Sequence, residues 1–357
     1  MADWEANVRR VVPYTPGEQP KRNDIIKLNT NECPYPPAPG VAKALQEFEA
    51  DKLRLYPDPA ALELREAIAA AVSVSEHPVA ADQVFVGVGS DDVLALAFLT
   101  FFNSKKPILF PDISYSFYSV WADLFGIKYE RPALDADFRI VKADYFKENG
   151  GIIFPNPNAP TGIYMELDQV EEIISGNPDS IVIVDEAYVD FAGPSAMELV
   201  DKYDNLLVVQ TFSKSRSLAG MRIGFAVGQP RLIKYLNDVK YSYNSYTMNM
   251  PSLILGTETV KDDVYFKETV QKIIDTREWS KTRLTELGFT FPDSMSNFIF
   301  ASHNRVLAKA LFEALKKQQI YVRYFDQPRL SNYLRISIGT REEMEALFAF
   351  LEKYLAQ

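Results

Sequence analysis

IVIVDEAYVDF (residues 181–191) and LLVVQTFSKSRSLAGMR (206–222) decide how this chain is read. Each opens with a short, unbroken apolar run rich in β-branched residues. That is the pattern of a strand covered on both faces. Each run then ends in polar residues. The first leads to Asp185, Glu186 and Tyr188; the second leads to Ser213 and Lys214, with Arg222 past a glycine-containing loop. In open sheets of parallel strands, ligands settle beyond the carboxyl ends of the strands. An acid and a lysine at two such ends would face one crevice.

Taken singly, these residues have ordinary readings: Asp185 as a helix cap, Lys214 as a solvated surface charge. As an ordered set they match the needs of one cofactor. A lysine amine among apolar groups can lose its proton and form a Schiff base. Pyridoxal phosphate (PLP) requires such a lysine. It also requires a carboxylate to keep its ring nitrogen protonated, so that the ring accepts electrons. A phenol suits its ring hydroxyl, and a fixed cation with hydroxyl or backbone donors suits its phosphate. Lys214, Asp185, Tyr188, Arg222 and Ser213 supply those groups.

The bulk properties agree with an enzyme of small molecules. A chain of 357 residues fits about two domains. An apolar content of 47% with 13% aromatics implies a substantial core. A net charge of −10 argues against nucleic acid or a membrane surface as partner. No apolar run approaches the ~20 residues needed to span a bilayer, and MADWEANVRR lacks a signal-peptide core. One cysteine, Cys33, excludes an intrachain disulfide and fits a reducing cytosol, so a cytoplasmic protein is expected. His77 and His303 alone do not supply the ligand set of a zinc site and read as surface or loop residues.

Residues 1–40, rich in Pro, Asn and Gly, read as an extended arm that needs a surface to lie on, a small domain or a second subunit. Strand–helix alternation from 83 to 240 predicts an α/β large domain over 41–245 with a mainly parallel sheet. A helix over AMELVDKY is expected between the two opening strands. Within this domain GVGSDD (87–92) is a strand, a glycine and a helix N-terminus, a geometry that can hold phosphate. The competing reading is a plain strand–helix turn with Asp91 near the cap. The aromatic run 115–121 reads as core, with Tyr115 at its start free to stack on a flat ring. YSYNSYTMNM (241–250) breaks the pattern and reads as a hinge or interface. Residues 246–357 form a compact α+β second domain, in which Arg323 and Arg335 lie on short, otherwise apolar strands. A buried arginine needs an anion. A structural salt bridge would serve; two arginines beside a PLP crevice point instead to an anionic substrate.

LNTNE (28–32), LYPD (55–58), GVGSDD, PDISY (111–115), NPNAPTG (156–162), DEAYVDF, TFSKSRSLAGMRIG and YLRISIGTREE (333–343) together resemble the class I/II, fold type I PLP-dependent aminotransferases. The opening LNTNE and closing LRISIGTREE are similar to the histidinol-phosphate branch. The resemblance covers nearly the whole chain. It implies a large domain with a seven-stranded sheet. It implies that Lys214 holds PLP and carries the proton, that Asp185 pairs with the ring nitrogen, that Tyr188 bonds the ring hydroxyl and that Tyr115 stacks on the ring. Ser90, Asp91, Ser213 and Arg222 would hold the cofactor phosphate, with Tyr56 reaching it from the neighbouring subunit of a C2 dimer. Arg323, Arg335, Tyr14, Asn31, Tyr56 and Tyr243 would bind substrate.

Three departures stand out. Ala159 replaces the asparagine that usually meets the ring hydroxyl, which leaves Asn158, Asn156 or Tyr188 alone to serve. Cys33 sits where the arm commonly has asparagine. Ser215-Arg216-Ser217 is more polar than in many relatives, and Arg216 would add positive charge near the phosphate pocket. The resemblance implies transamination of L-histidinol phosphate with 2-oxoglutarate. An aromatic aminotransferase of broader specificity, a phosphothreonine decarboxylase of the same fold and a non-catalytic PLP sensor are the alternatives. The sensor is disfavoured by the acidic charge and the presence of Lys214.

Overall fold

A computed structural model of the chain describes residues 3–20, 24–74 and 76–356. In chain order the strands are β1 (Ile26–Lys27), β2 (Val84–Gly87), β3 (Ile108–Leu109), β4 (Tyr129–Glu130), β5 (Ile152–Pro155), β6 (Val182–Asp185), β7 (Leu206–Thr211), β8 (Gly224–Gly228), β9 (Phe289–Thr290), β10 (Phe298–His303), β11 (Ile320–Tyr321), β12 (Arg323–Tyr324) and β13 (Tyr333–Ser337). The helices are α1 (Pro39–Gln46), α2 (Leu62–Val72), α3 (Ser90–Phe101), α4 (Phe117–Phe125), α5 (Leu167–Ser175), α6 (Pro230–Tyr243), α7 (Met250–Lys261), α8 (Asp263–Glu286), α9 (Ala308–Lys317) and α10 (Arg341–Leu355).

Seven strands form one sheet in the order β2-β8-β7-β6-β5-β3-β4. All neighbours pair parallel except β8, which runs antiparallel to both β2 and β7. Ile183, Val184, Leu207 and Val208 are fully buried, two on each face. This is why β6 and β7 read as continuous apolar runs. Each such side chain contributes roughly 1.5–3 kcal/mol by leaving water. One face of the sheet is covered by α1, α2, α5 and α7. The other is covered by α3, α4 and α6, with Phe98, Tyr118 and Trp121 filling the gap.

The second body is an antiparallel sheet, β12-β13-β10-β9, packed by α8, α9 and α10. The last helix starts where Thr340 and Glu343 cap each other: Thr340 N–H donates to Glu343 Oε2 at 2.7 Å and Glu343 N–H to Thr340 Oγ1 at 3.2 Å. The arm is sewn into this body, because β1 pairs parallel with β11.

Three expectations differ from the structure. The helix expected over AMELVDKY is a single 3-10 turn, Ala196–Leu199, started by Ser195. Helix α7 packs on α1 and α2, and its Leu255 and Val260 join the large core. The chain therefore stays in the large body to Lys261, past the break expected at 245/246. His303, expected at the surface, is 3% exposed on β10, its Nε2 against the Leu287 carbonyl at 3.1 Å. No helix among the described residues is long and apolar enough to cross a membrane.

Candidate active site

Strand register explains why distant residues meet. Asp185 stands opposite Val209 in the parallel pair β6–β7, and opposite Pro155 in β5–β6. The loops after β5, β6 and β7 therefore leave from one edge of the sheet. Gly224, the first residue of β8, pairs with both Thr211 and Gly87. Arg222 and the start of α3 are thus drawn to that same edge. The approach is so close that a Cβ on Gly224 would lie 2.2 Å from Ser90 N, and one on Gly89 (φ +83°) would lie 2.5 Å from Arg222 Nη2.

A cavity of about 210 Å³ opens at this edge, lined by Ser90, Asp91, Tyr115, Asp185, Tyr188, Ser213, Lys214 and Arg222 among others. At its floor lies the Asp185 carboxylate, 4% exposed. Burial pushes Asp185 up to about 6, opposed by donors from Tyr118 and the Ala187 N–H. Tyr118 hydroxyl donates to Asp185 Oδ2 at 2.7 Å, whereas Ala187 N–H reaches Oδ1 only at 3.3 Å. Lys214 Nζ donates to the Thr30 carbonyl at 3.0 Å and lies 5.8 Å from the Tyr188 ring centre. At the far end Arg222 Nη1 meets Ser213 Oγ at 3.4 Å, and Nη2 meets Asp91 Oδ2 at 3.4 Å. Tyr115 hydroxyl donates to Asp91 Oδ1 at 2.8 Å. Gly89 caps α3 without any side-chain bond, so that helix start is open to an anion.

A second cavity, about 170 Å³, shares Thr30, Tyr115, Tyr188, Lys214 and Arg335 with the first and adds Tyr14, Asn31, Arg323 and Phe325. Arg323 and Arg335 are register partners on β12 and β13. Both guanidinium groups lie against Phe325, at 5.3 and 5.6 Å. Arg335 donates to the Asn29 carbonyl at 3.1 Å, and its Nε is buried with no partner. Burial, opposed by Tyr188 and reinforced by Arg323, holds its pKa below the usual arginine value. Among the described residues neither arginine pairs with a carboxylate. Tyr14 stacks on Phe117 at 4.2 Å across this mouth.

Not every expected residue arrives. Asn158 lines neither cavity. Its amide donates to the Ile113 carbonyl (3.2 Å) and Thr161 Oγ1 (2.9 Å), and it faces a separate groove, about 990 Å³, between residues 135–142 and 290–295. Ala159 lines the cofactor-side cavity instead. Arg216 lies over Phe266 at 4.0 Å, packed between helices and away from the phosphate end. The turn after Lys214 sends it there, while Ser215 bonds Asp190. Tyr56 (80% exposed) and Tyr243 (76%) stand on the outer surface of this chain. Reading the sequence for chemistry missed Tyr118, which sits one helical turn past Tyr115, and Glu32, which lines the cavity. Burial works against the Glu32 charge, but bonds from Lys27 and Thr30 hold its carboxyl below the usual range.

A domain pair of this topology, with lysine and aspartate on adjacent strand ends, defines a fold type I PLP enzyme. The chain belongs to the family "Aminotransferase class I and II", whose sequence profile matches residues 23–351. It is 53% identical, over 97% of its length and 96% of theirs, to a histidinol-phosphate aminotransferase of Brachyspira hyodysenteriae. It is 50% identical, over 99% and 98%, to one of Lactococcus lactis subsp. cremoris. Its fold matches that of histidinol-phosphate aminotransferase from Sinorhizobium meliloti in complex with pyridoxal-5'-phosphate, with a TM-score of 0.83, 22% identity and coverage of 93% and 91%.

Proposed function

We propose that this chain catalyses the PLP-dependent transamination of L-histidinol phosphate with 2-oxoglutarate, giving imidazole-acetol phosphate and L-glutamate, in the cytoplasm. The named relatives support the substrate. The observation that carries the reading is a pair of adjoining cavities, sharing Thr30, Tyr115, Tyr188, Lys214 and Arg335, with opposite electrostatic demands at their far ends. Among the described residues, a buried carboxylate that bonds no cation lies at the floor, and two arginines that bond no carboxylate lie at the mouth.

The residues fit the cofactor. Asp185 Oδ1, held only by a long contact, is free for a protonated ring nitrogen. The cradle of Gly89, Ser90, Ser213 and Arg222 presents donors to a phosphate, and Gly224 beneath it has no room for a Cβ against the Ser90 backbone nitrogen. When bound, PLP supplies an electron-accepting ring conjugated to the substrate Cα. The protein does the rest. Lys214 holds the cofactor and moves the proton at the substrate Cα. Asp185 keeps a proton at the ring nitrogen, and Tyr118 fixes that carboxylate. Tyr115 covers the ring face, and Tyr188 serves the ring hydroxyl. Arg323 and Arg335 hold the phosphate of one substrate and a carboxylate of the other, so both half-reactions use one site and the kinetics are ping-pong.

The reading includes a homodimer. Tyr56 stacks on Tyr246 at 4.5 Å beside exposed Leu53, Leu55 and Tyr243, and Lys240 and Tyr241 anchor the loop through the Pro59 carbonyl. Such an exposed apolar face fits a second copy, whose cavity Tyr56 and Tyr243 would complete.

The test is the visible absorbance of PLP-loaded protein during single additions of L-histidinol phosphate, L-phenylalanine and L-phosphothreonine. Fast loss of the band with histidinol phosphate alone supports the reading. Equal conversion by phenylalanine would make it a broad aromatic aminotransferase, and CO₂ release from phosphothreonine would make it a decarboxylase.

A further inference from the structure

Asn31 is expected at the substrate, yet its bonds lead elsewhere. It is 1% exposed and holds a left-handed backbone conformation, φ +57°. Its N–H donates to Ser337 Oγ at 2.9 Å. The single proton of that serine goes to Asn31 Oδ1, also at 2.9 Å. The amide is thereby oriented with Nδ2 toward Tyr188, donating to the phenol oxygen at 2.9 Å. Asn297 Nδ2 clamps the Asn31 carbonyl from the other side at 2.9 Å. An amide nitrogen donates and does not accept. Tyr188 therefore cannot give its proton to Asn31, and the proton remains available to a group in the cavity that Tyr188 lines.

We propose that Asn31 is a positioning residue that fixes Tyr188 as a donor to the ring hydroxyl of the cofactor. The proposal rests on the reading that Tyr188 meets that hydroxyl. It explains how the site works with Ala159, which has no polar side-chain atom to offer there. The relay begins in the small domain: Ser337 ends β13 and Asn297 precedes β10. The donor at the ring is therefore set only when the segment 28–32 is seated on that domain.

The experiment is a pH titration of the visible absorbance of PLP-loaded wild type, Tyr188→Phe, Asn31→Asp and Ser337→Ala, with a thermal melt of each. A donor stabilises the ring oxygen as an anion, so losing it makes the site hold the shared proton to higher pH. Tyr188→Phe raises the midpoint by about one pH unit. Asn31→Asp, whose carboxylate attracts the phenol proton away from the ring, raises it by a similar amount. Ser337→Ala frees the amide to turn and raises it less; being neutral, it separates proton direction from added charge. If Asn31→Asp and Ser337→Ala keep the wild-type midpoint while Tyr188→Phe shifts it, the relay is overturned and Asn31 is merely structural. An unshifted Tyr188→Phe overturns the underlying reading of Tyr188 instead. If Asn31→Asp does not fold, Ser337→Ala decides by the same criterion.

Discussion

The floor and the mouth of the cavity are built by opposite strategies. At the floor, Asp185, Tyr188, Ser213, Lys214 and Arg222 come from one continuous stretch of sequence, placed by two adjacent strand ends and the start of a third. At the mouth, Tyr14, Asn31, Arg323 and Arg335 come from the arm and from the far end of the chain. The floor is rigid because its strands are buried on both faces. The mouth is assembled only when the arm, the large body and the small body meet. The unmet charges are also opposite: among the described residues the buried Asp185 carboxylate at the floor bonds no cation, and Arg323 and Arg335 at the mouth bond no carboxylate. The ligand implied is positive at one end and negative at the other, which a protonated ring with a phosphate-bearing substrate satisfies.

The comparison can be broken most forcefully at Lys214. Lys214→Ala is expected to lower kcat by about 10⁴-fold or more while leaving the far-UV circular dichroism unchanged. A loss under tenfold would mean that the floor is not where the chemistry occurs.

Asp185→Asn separates function from stability. Activity should fall about 10²–10³-fold. Stability should move the other way without cofactor. Burial pushes Asp185 from 3.8 to about 6, so between those values the folded protein holds a proton that the unfolded chain has released. That advantage is full below about 4 and lost as pH rises through about 6. In urea melts, cofactor-free Asp185→Asn should exceed wild type by up to about 3 kcal/mol at pH 8, and by little at pH 4. Equal stabilities at pH 8 would show that Asp185 already has a cation.

Tyr118→Phe removes the one short donor to that carboxylate and should weaken PLP binding about tenfold, read by equilibrium titration of the cofactor-free protein. The smallest effect is expected at Arg216→Gln. Because this arginine packs on Phe266, its loss should cost about 1 kcal/mol of stability and leave PLP affinity within about twofold. A large loss of PLP affinity would return Arg216 to the phosphate end.

The floor was legible in the sequence because strand patterning and strand-end chemistry are local. The apolar runs before Asp185 and Lys214 gave away both the sheet and the edge. What lay hidden depends on direction and on partners distant in the chain. The antiparallel sense of β8 cannot be read from MRIGFAVG, yet it is what brings Arg222 beside Ser90. Arg216 looked basic and near; the turn after Lys214 points it away. Asn158 is one of the stand-ins the sequence offers for the asparagine that Ala159 replaces, but its amide is taken by the Ile113 carbonyl and Thr161. Tyr118 sat in a stripe that reads as core and is core, with its one polar atom on Asp185. Asn31 reads as a substrate contact, and only Ser337, over three hundred residues away, shows which way its amide faces.

The central claim is that the mouth reads a phosphate and the floor performs the chemistry. The direct measurement is single-turnover conversion of PLP-loaded protein, without oxo acid, by L-histidinol phosphate and by its dephosphorylated analogue L-histidinol, in wild type and Arg335→Met. The account predicts about a 10²-fold loss in apparent second-order rate constant for histidinol phosphate in the variant, with little change for histidinol. Equal losses for both would contradict it, since Arg335 would then serve the floor or the fold rather than the phosphate.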